Sequence, residues 1–220
     1  MSRLPALPPE PALFFDFDNT LTQGDLLDAL IEAYSPNEAW REWERAWTAG
    51  EMAASECLRL QVENLCVSRE ALLEHLGGVR IDPAFAQILS WARRHDAPLA
   101  IVSDSFVPLI EQVLRANGVD GVPIFANELE FGAQGRLTTR FPFCDPQLPR
   151  SANAKARHLA PYRGLRSIVF AGDGRSDLDA ALAADVVFAK ALLAEEMAAL
   201  GLAFRPFATL DAVLAFLEAA

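Results

Sequence analysis

Asp16 and Asp18 stand two apart at the end of a short apolar run, Leu13 to Phe17. Side chains alternate along a strand, so residues two apart face the same way. Two carboxylates side by side in a buried sheet repel each other unless a cation lies between them or one keeps its proton. Either solution is chemically useful, because a neutralised carboxylate can act as a nucleophile and a protonated one as a general acid. A second acidic group, Gly172-Asp173-Gly174-Arg175-Ser176-Asp177, follows another apolar run, Ile168 to Ala171. Four carboxylates converging on one sheet edge require a hard cation with oxygen ligands, and so few of them, with room for water and phosphate, favour Mg²⁺. Each group alone also has a plain structural reading. Asp18-Asn19-Thr20 are turn formers, Asp173 or Ser176 suits a helix N-cap, and Asp177 suits the positive end of a helix dipole.

Ser103-Asp104-Ser105 follows the apolar run Leu99 to Val102. A hydroxyl and free backbone N–H groups at a helix start can hold a phosphate oxygen, or simply cap the helix, with Pro108 tolerated in its first turn. Lys155 and Lys190 are the only lysines in a chain that otherwise uses arginine. A lysine is a compact point charge suited to a phosphoryl group or to pairing a nucleophilic carboxylate; the plain alternative is a solvated helix residue. Trp40, Trp43 and Trp47 share a helical face, which suits packing within a helical segment more than a substrate cage. His75, His95 and His158 lack metal-ligand spacing, and Arg175 has a substrate-contacting or solvated role open to it. Cys57, Cys66 and Cys144 form no even set and no CxxC pair, so free thiols are expected.

The elements that must position these residues alternate between strand and helix. Strands are predicted at 13–17, 99–102, 124–126, 168–171 and 186–189, with a hairpin of 129–131 and 137–141 about Gly132-Ala133-Gln134-Gly135. Helices are predicted from Asp82-Pro83 to about His95, and over 106–117, 176–184, 192–200 and 210–217. This order predicts an α/β fold: a doubly wound, mostly parallel, Rossmann-like core whose ligand sits at the carboxyl ends of its strands. Residues 25–78 instead show helical periods broken at Ser35-Pro36, Ala49-Gly50 and Gly77-Gly78, which predicts a small helical insertion. The expected domains are a core of 1–24 with 79–220 and a helical cap of 25–78.

At 220 residues and 52% apolar composition the chain can bury a large core. A net charge of -11 opposes nucleic acid and anionic membranes, and no apolar run is long enough to span a bilayer. The stretch Met1 to Pro11 is proline-rich and lacks the pattern of a secretory leader, so the cytoplasm is the expected compartment, as monomer or homodimer. The same charge repels phosphorylated small molecules, so a chain that binds one needs a metal or a few well-placed cations to reverse the local field.

Asp16-Phe17-Asp18-Asn19-Thr20, Ser103, Lys155 and Gly172-Asp173 with Asp177, in this order, resemble the four motifs of haloacid-dehalogenase superfamily phosphatases. The helical stretch lies where the type 1 cap of the phosphoserine phosphatase group is inserted. The segment Asp185 to Phe207 is similar to the C-terminal end of phosphatases that act on 2-hydroxy-3-keto-5-methylthiopentenyl 1-phosphate. The resemblance implies Mg²⁺ and a small phosphorylated metabolite as substrate. It makes Asp16 the nucleophile and Asp18 the general acid and base. Asp16, Asp173 and the Asp18 backbone carbonyl become the metal ligands, and Ser103 and Lys155 hold the phosphoryl group. Thr20 orients the carboxylates beside the substrate and Asp177 supports them from behind. Asp25 stands where phosphoserine phosphatases carry Glu, and Ser103-Asp104-Ser105 where they carry Ser-Gly-Gly. Ser-Asp at that place resembles phosphoethanolamine and phosphocholine phosphatases, in which Asp104 would face a cationic head group. Competing readings are a noncatalytic phosphate-binding module, carbon-halogen cleavage and phosphotransfer to an alcohol.

Overall fold

The computed structural model describes residues 11–132 and 135–219; the proline-rich stretch before Pro11 and Ala133-Gln134 of the expected hairpin lie outside these. The central strand is β1 (Pro11–Phe15), and all five of its residues are buried. A strand covered on both faces reads as a continuous apolar run, which is why Pro-Ala-Leu-Phe-Phe shows no polar alternation. Leu13 and Phe15 join one core cluster, with Phe85, Ile88 and Ile101. Ala12 and Phe14 join another, with Val102, Phe170 and Leu193.

The chain leaves β1 through four helices, α1 (Leu26–Tyr34), α2 (Trp40–Thr48), α3 (Ala54–Glu63) and α4 (Arg69–Gly78). It returns through α5 (Ala84–Arg94), whose start is capped by Asp82, Oδ1 accepting from the Ala84 N–H at 2.9 Å. β2 (Leu99–Phe106), α6 (Val107–Ala116), β3 (Ile124–Phe131) and β4 (Leu137–Arg140) build one flank of the sheet. The short helix α7 (Ala156–Leu159) leads to β5 (Ser167–Gly172), α8 (Leu178–Ala183), β6 (Val186–Ala189), α9 (Ala191–Ala199), β7 (Arg205–Pro206) and α10 (Asp211–Glu218). The seven strands lie in the order β4-β3-β2-β1-β5-β6-β7, and of their pairings β3–β4 is antiparallel while the rest are parallel. From β1 the chain builds first towards β4 and then, starting at β5, towards β7. Such a reversal opens a crevice at the carboxyl ends of the two middle strands, where α/β folds bind ligands.

The doubly wound expectation holds, with three local corrections. β2 runs to Phe106, with a register shift against β3 between Val102 and Phe106, so Ser103-Asp104-Ser105 is the irregular end of a strand and not a helix cap. The residue before α6 is Phe106, which has no side chain to cap with. β3 is one strand from Ile124 to Phe131, because its first half pairs with β2 and its second half with β4. Finally, the helix expected from Ser176 begins as a tight turn at Arg175–Asp177 before α8.

The inserted helices do not form a separate core: Leu26, Leu30, Val62, Leu72 and Leu76 belong to the same cluster as Phe15 and Phe85. α3 is also tied to the hairpin, Glu63 Oε1 accepting from the Thr139 N–H at 2.9 Å and its hydroxyl at 2.8 Å. Among the described residues no helix is long and apolar enough to cross a membrane.

Candidate active site

Beyond Phe15 the pairing with β5 continues for one more bond, Asp16 N–H to Ala171 O at 2.9 Å. The chain then turns tightly: Phe17 O accepts from Leu21 N–H at 2.9 Å, and from Thr20 and Thr22 N–H at 3.2 Å each. Asn19 takes the left-handed conformation at φ 50, which asparagine tolerates better than most residues. The turn reaches across to the end of β5. Asn19 Nδ2 donates to Asp173 Oδ2 at 2.6 Å and Thr20 Oγ1 to Asp173 Oδ1 at 3.2 Å. Asp177 is fastened beneath, its Oδ2 accepting from the Asp173 and Gly174 N–H groups at 3.0 and 2.9 Å. A Cβ at Gly172 would stand 2.6 Å from that same oxygen, so this close approach requires glycine.

Lys155 enters from the loop before α7 and is 1% exposed. Its ammonium lies 2.7 Å from Asp16 Oδ1 and 2.5 Å from Asp177 Oδ1, with Ser176 Oγ at 3.4 Å. Burial alone would neutralise it, but Asp16, Asp177 and Asp104 hold it charged, well above its ordinary value. One ammonium does not balance the acids. Burial pushes the Asp16 carboxyl well up and Asp177 adds to this, while Lys155 opposes it. Asp173 is raised by burial and then by Asp177. Asp18, whose Oδ1 accepts from the Leu26 N–H at 2.9 Å, is raised well above its usual range by burial and then by Asp25.

Carboxylate oxygens of Asp16, Asp173 and Asp177 lie within 4.8 Å of one another. This donor set fits a hard divalent cation: oxygen ligands only, like charges held together, and too little counter-charge nearby. Within this set Asp177 holds the Lys155 ammonium and two backbone N–H groups, while Asp173 accepts only from the neutral side chains of Asn19 and Thr20 and Asp16 has a second oxygen beside its bond to Lys155.

A cavity of about 600 Å³ opens over these groups. Asp16, Asp18, Ser103, Lys155, Asp173 and Arg175 line it from the sheet, and Asp25, Asp28, Glu44, Trp47 and Gln61 from the helices. Ser103 is 1% exposed and its Oγ accepts from the Ser105 N–H at 3.0 Å, leaving its own proton for an acceptor in the cavity. Asp104 borders the cavity, and its carboxyl is engaged with Ser151 Oγ and Ala152 N–H, both at 2.8 Å. Thr20 is buried and its hydroxyl is bonded to Asp173, which orients that carboxylate. Trp47 reaches the cavity, whereas Trp40 packs on the core. His95 stacks on Trp91, His75 meets the edge of Tyr34, and the cysteines are free.

A sequence model of the haloacid dehalogenase-like hydrolases matches residues 13–182. The chain belongs to that family. It is a phosphatase of the family. It is 27% identical over 213 residues to a 2-hydroxy-3-keto-5-methylthiopentenyl-1-phosphate phosphatase of Brevibacillus brevis, with 94% of each chain covered. It is 26% identical over 201 residues to a polyol phosphate phosphatase of Saccharomyces cerevisiae, covering 81% of this chain and 79% of that one. A substrate-bound phosphoserine phosphatase superposes with a TM-score of 0.70 at 17% identity, over 95% of this chain and 99% of that one. Their names carry three different substrates, so family membership does not choose among them.

The sequence marks Asn19 only as a turn former within the first motif, and gives no sign of the bonds made by the side chains of Ser151 and Asn153. Their partners lie tens to over a hundred residues away, as with Asn19 and Asp173, and small polar residues in loops carry no local mark of such bonds.

The raised carboxyls give the metal-free protein a testable pH dependence. Burial, then Asp28, holds Asp25 up at about 6, and burial holds Asp104 at about 6 against the pull of Lys155. Both start from 3.8. The folded chain therefore binds more protons over this interval, and stability present below 3.8 is lost as pH rises through 6. Asp25 is open to the water of the cavity, so its share is the smaller. His158 acts oppositely: burial, then Arg157, lowers it from 6.5 to about 4, so stability falls as pH drops through that range. With Asp16, Asp18 and Asp173 also raised, the acids outweigh one half-buried imidazole. In chelator, the protein should be more stable at about pH 5.5 than at about pH 7.5, by about 1 kcal/mol or more, and excess Mg²⁺ should erase the difference. Thermal melts at both pH values check this; a lower midpoint at the acid value contradicts it.

Proposed function

We propose that the chain is a Mg²⁺-dependent phosphomonoester hydrolase that works through an aspartyl-phosphate on Asp16. The observation that carries this is the meeting of Asp16, Lys155, Asp173 and Asp177 at the sheet's reversal point, beneath a cavity with Asp18 on its wall. Asp16, Asp173 and the Asp18 main-chain carbonyl would hold the cation, which when bound supplies positive charge to the phosphoryl oxygens and to Asp16. Lys155 and the Ser103 hydroxyl grip the phosphoryl group from the protein side. The Asp16 carboxylate attacks phosphorus as the ester P–O bond breaks, and Asp18, whose protonated form is favoured by burial and Asp25, gives its proton to the leaving alkoxide. Asp18, now ionised, takes a proton from a water that attacks the same phosphorus, which frees Asp16 and releases phosphate. The helices of 25–78 act as the cap that shapes the leaving-group side.

The cap wall favours some substrates over others. It presents Asp25, Asp28 and Glu44, while Lys155 and Arg175 are the cations lining the cavity, both on the core side. Glu44 is fixed by Gln61 Nε2 at 3.0 Å. A substrate carboxylate, as in phosphoserine, meets like charge there, so neutral or amine-bearing alcohol phosphates fit better.

The test is release of inorganic phosphate from p-nitrophenyl phosphate and from a panel of enol-phosphates, polyol phosphates, phosphoethanolamine and phosphoserine, with Mg²⁺ and with chelator. Activity should need the metal, and phosphoserine should rank low. Asp18→Asn should keep affinity for phosphate and lose about 10²-fold or more in kcat. Metal-independent turnover, or a parental rate in Asp18→Asn, contradicts the reading.

A further inference from the structure

Lys155 must arrive at Asp16 within hydrogen-bond distance, yet it stands on a segment with no strand of its own and only the four-residue α7 behind it. What fixes segment 151–155 is a buried polar lattice against the ends of β2 and β3. Asn153 is 0% exposed, and its Nδ2 donates to Ser103 O and to Phe125 O at 2.9 Å each. With both amide protons spent, Asn153 Oδ1 must accept, so the His158 Nε2 at 2.9 Å carries the proton. His158 is itself stacked on Phe125. Asn127 Nδ2 donates to the backbone carbonyl of Asp104 at 2.6 Å. Asp104 closes the lattice through Ser151 Oγ and the Ala152 N–H, both at 2.8 Å.

We propose that Asp104 is a positioning residue, whose carboxyl group holds Ser151 and Ala152 so that the main chain delivers Lys155 to Asp16, and that it makes no contact with substrate. The proposal rests on the role given to Lys155 above, and the atoms around Ser151 sharpen it. Ser151 Oγ lies 2.8 Å from Asp104 Oδ1 and 2.6 Å from Asn153 O, while accepting from the Asn153 N–H at 3.1 Å. One hydroxyl proton cannot serve two acceptors. A proton on Asp104 resolves this: Asp104 donates to Ser151, Ser151 donates to Asn153 O, and the other Asp104 oxygen still accepts from Ala152. Burial moves the carboxyl in that direction, up to about 6. An asparagine at 104 offers the same pattern, Nδ2 donating to Ser151 and Oδ1 accepting from Ala152. An alanine offers neither bond.

The test compares the parent with Asp104→Asn, Asp104→Ala and Ser151→Ala by two readouts. The first is kcat and KM, with Mg²⁺, on p-nitrophenyl phosphate and on phosphoethanolamine. Asp104→Ala should lose about tenfold or more in kcat on both, since a small misplacement of a positioned group costs this much, and Asp104→Asn should stay within about twofold of the parent. Ser151→Ala, which keeps the Ala152 bond, should fall between. The second needs no activity: acylation of the two lysines by an amine reagent, read by peptide mass, with Lys190 as internal reference. Lys155 should resist labelling in the parent and in Asp104→Asn and become reactive in Asp104→Ala, with Lys190 unchanged. If the parent hydrolyses nothing, the phosphatase reading fails while the labelling still judges the lattice. An Asp104→Asn that fails as badly as Asp104→Ala, a loss confined to KM for the amine substrate, or Lys155 protection unchanged in both Asp104→Ala and Ser151→Ala overturns the proposal.

Discussion

Asp16→Asn should leave a folded protein that hydrolyses no phosphomonoester, a fall of about 10⁴-fold or more in kcat. The amide occupies the same space at the end of β1 and keeps the backbone bond to Ala171 O, so the sheet has no reason to change. What is lost is the anionic oxygen proposed to attack phosphorus, and a neutral amide is a poor substitute for it. Stability should move the other way in chelator. Burial and Asp177 both oppose a charge at position 16, so an uncharged group there relieves repulsion at neutral pH. Inactive protein with an equal or higher melting point is the expected pair of results. Residual activity near the parental level would remove Asp16 from the chemistry.

Lys155→Met is the second large effect, and it should cost both turnover and stability. The side chain is 1% exposed and lies between Asp16 and Asp177, so methionine of similar length leaves two buried carboxylates without their counter-charge. Removing one partner of a buried ion pair typically costs about 3–5 kcal/mol. Part of this can be recovered by protonation of Asp16, which makes the deficit larger at neutral than at acid pH. A bound divalent cation should restore part of it, because it replaces charge at the same carboxylates. Turnover should stay low even with the metal, since the phosphoryl group loses its protein-side grip. Urea unfolding with and without Mg²⁺, alongside kcat, separates the two losses; a variant as stable as the parent in chelator contradicts the electrostatic account.

Much of this was legible in the sequence because the strongest signals were local. Continuous apolar runs at Leu13 to Phe17 and Ile168 to Ala171 mark strands buried on both faces, and acids just past them fall at the sheet's carboxyl edge. The alternation of elements then gave the doubly wound order. The misreadings arose where tertiary bonds overrode local chemistry. Ser103-Asp104-Ser105 has the composition of a helix cap, but β2 continues through it, and Asp104 is claimed by Ser151 and Ala152, some 47 residues on. Thr20 and Asn19 read as turn formers and are that, yet their side chains also fix Asp173 across the sheet. Two-residue β7 left no periodic trace to read. The docking of the inserted helices through Glu63 onto Thr139 is equally silent, because a helical glutamate has many ordinary explanations.

The central claim is that Asp16 becomes covalently phosphorylated during turnover, and one experiment addresses it directly. Enzyme mixed with Mg²⁺ and a turned-over phosphomonoester is quenched in acid within milliseconds, reduced with borohydride and digested for peptide mass. An acyl phosphate on Asp16 is reduced to homoserine, so the account predicts that change at position 16 and at no other carboxylate. Steady turnover with position 16 still aspartate in every quenched sample, or homoserine at another acid, would contradict it.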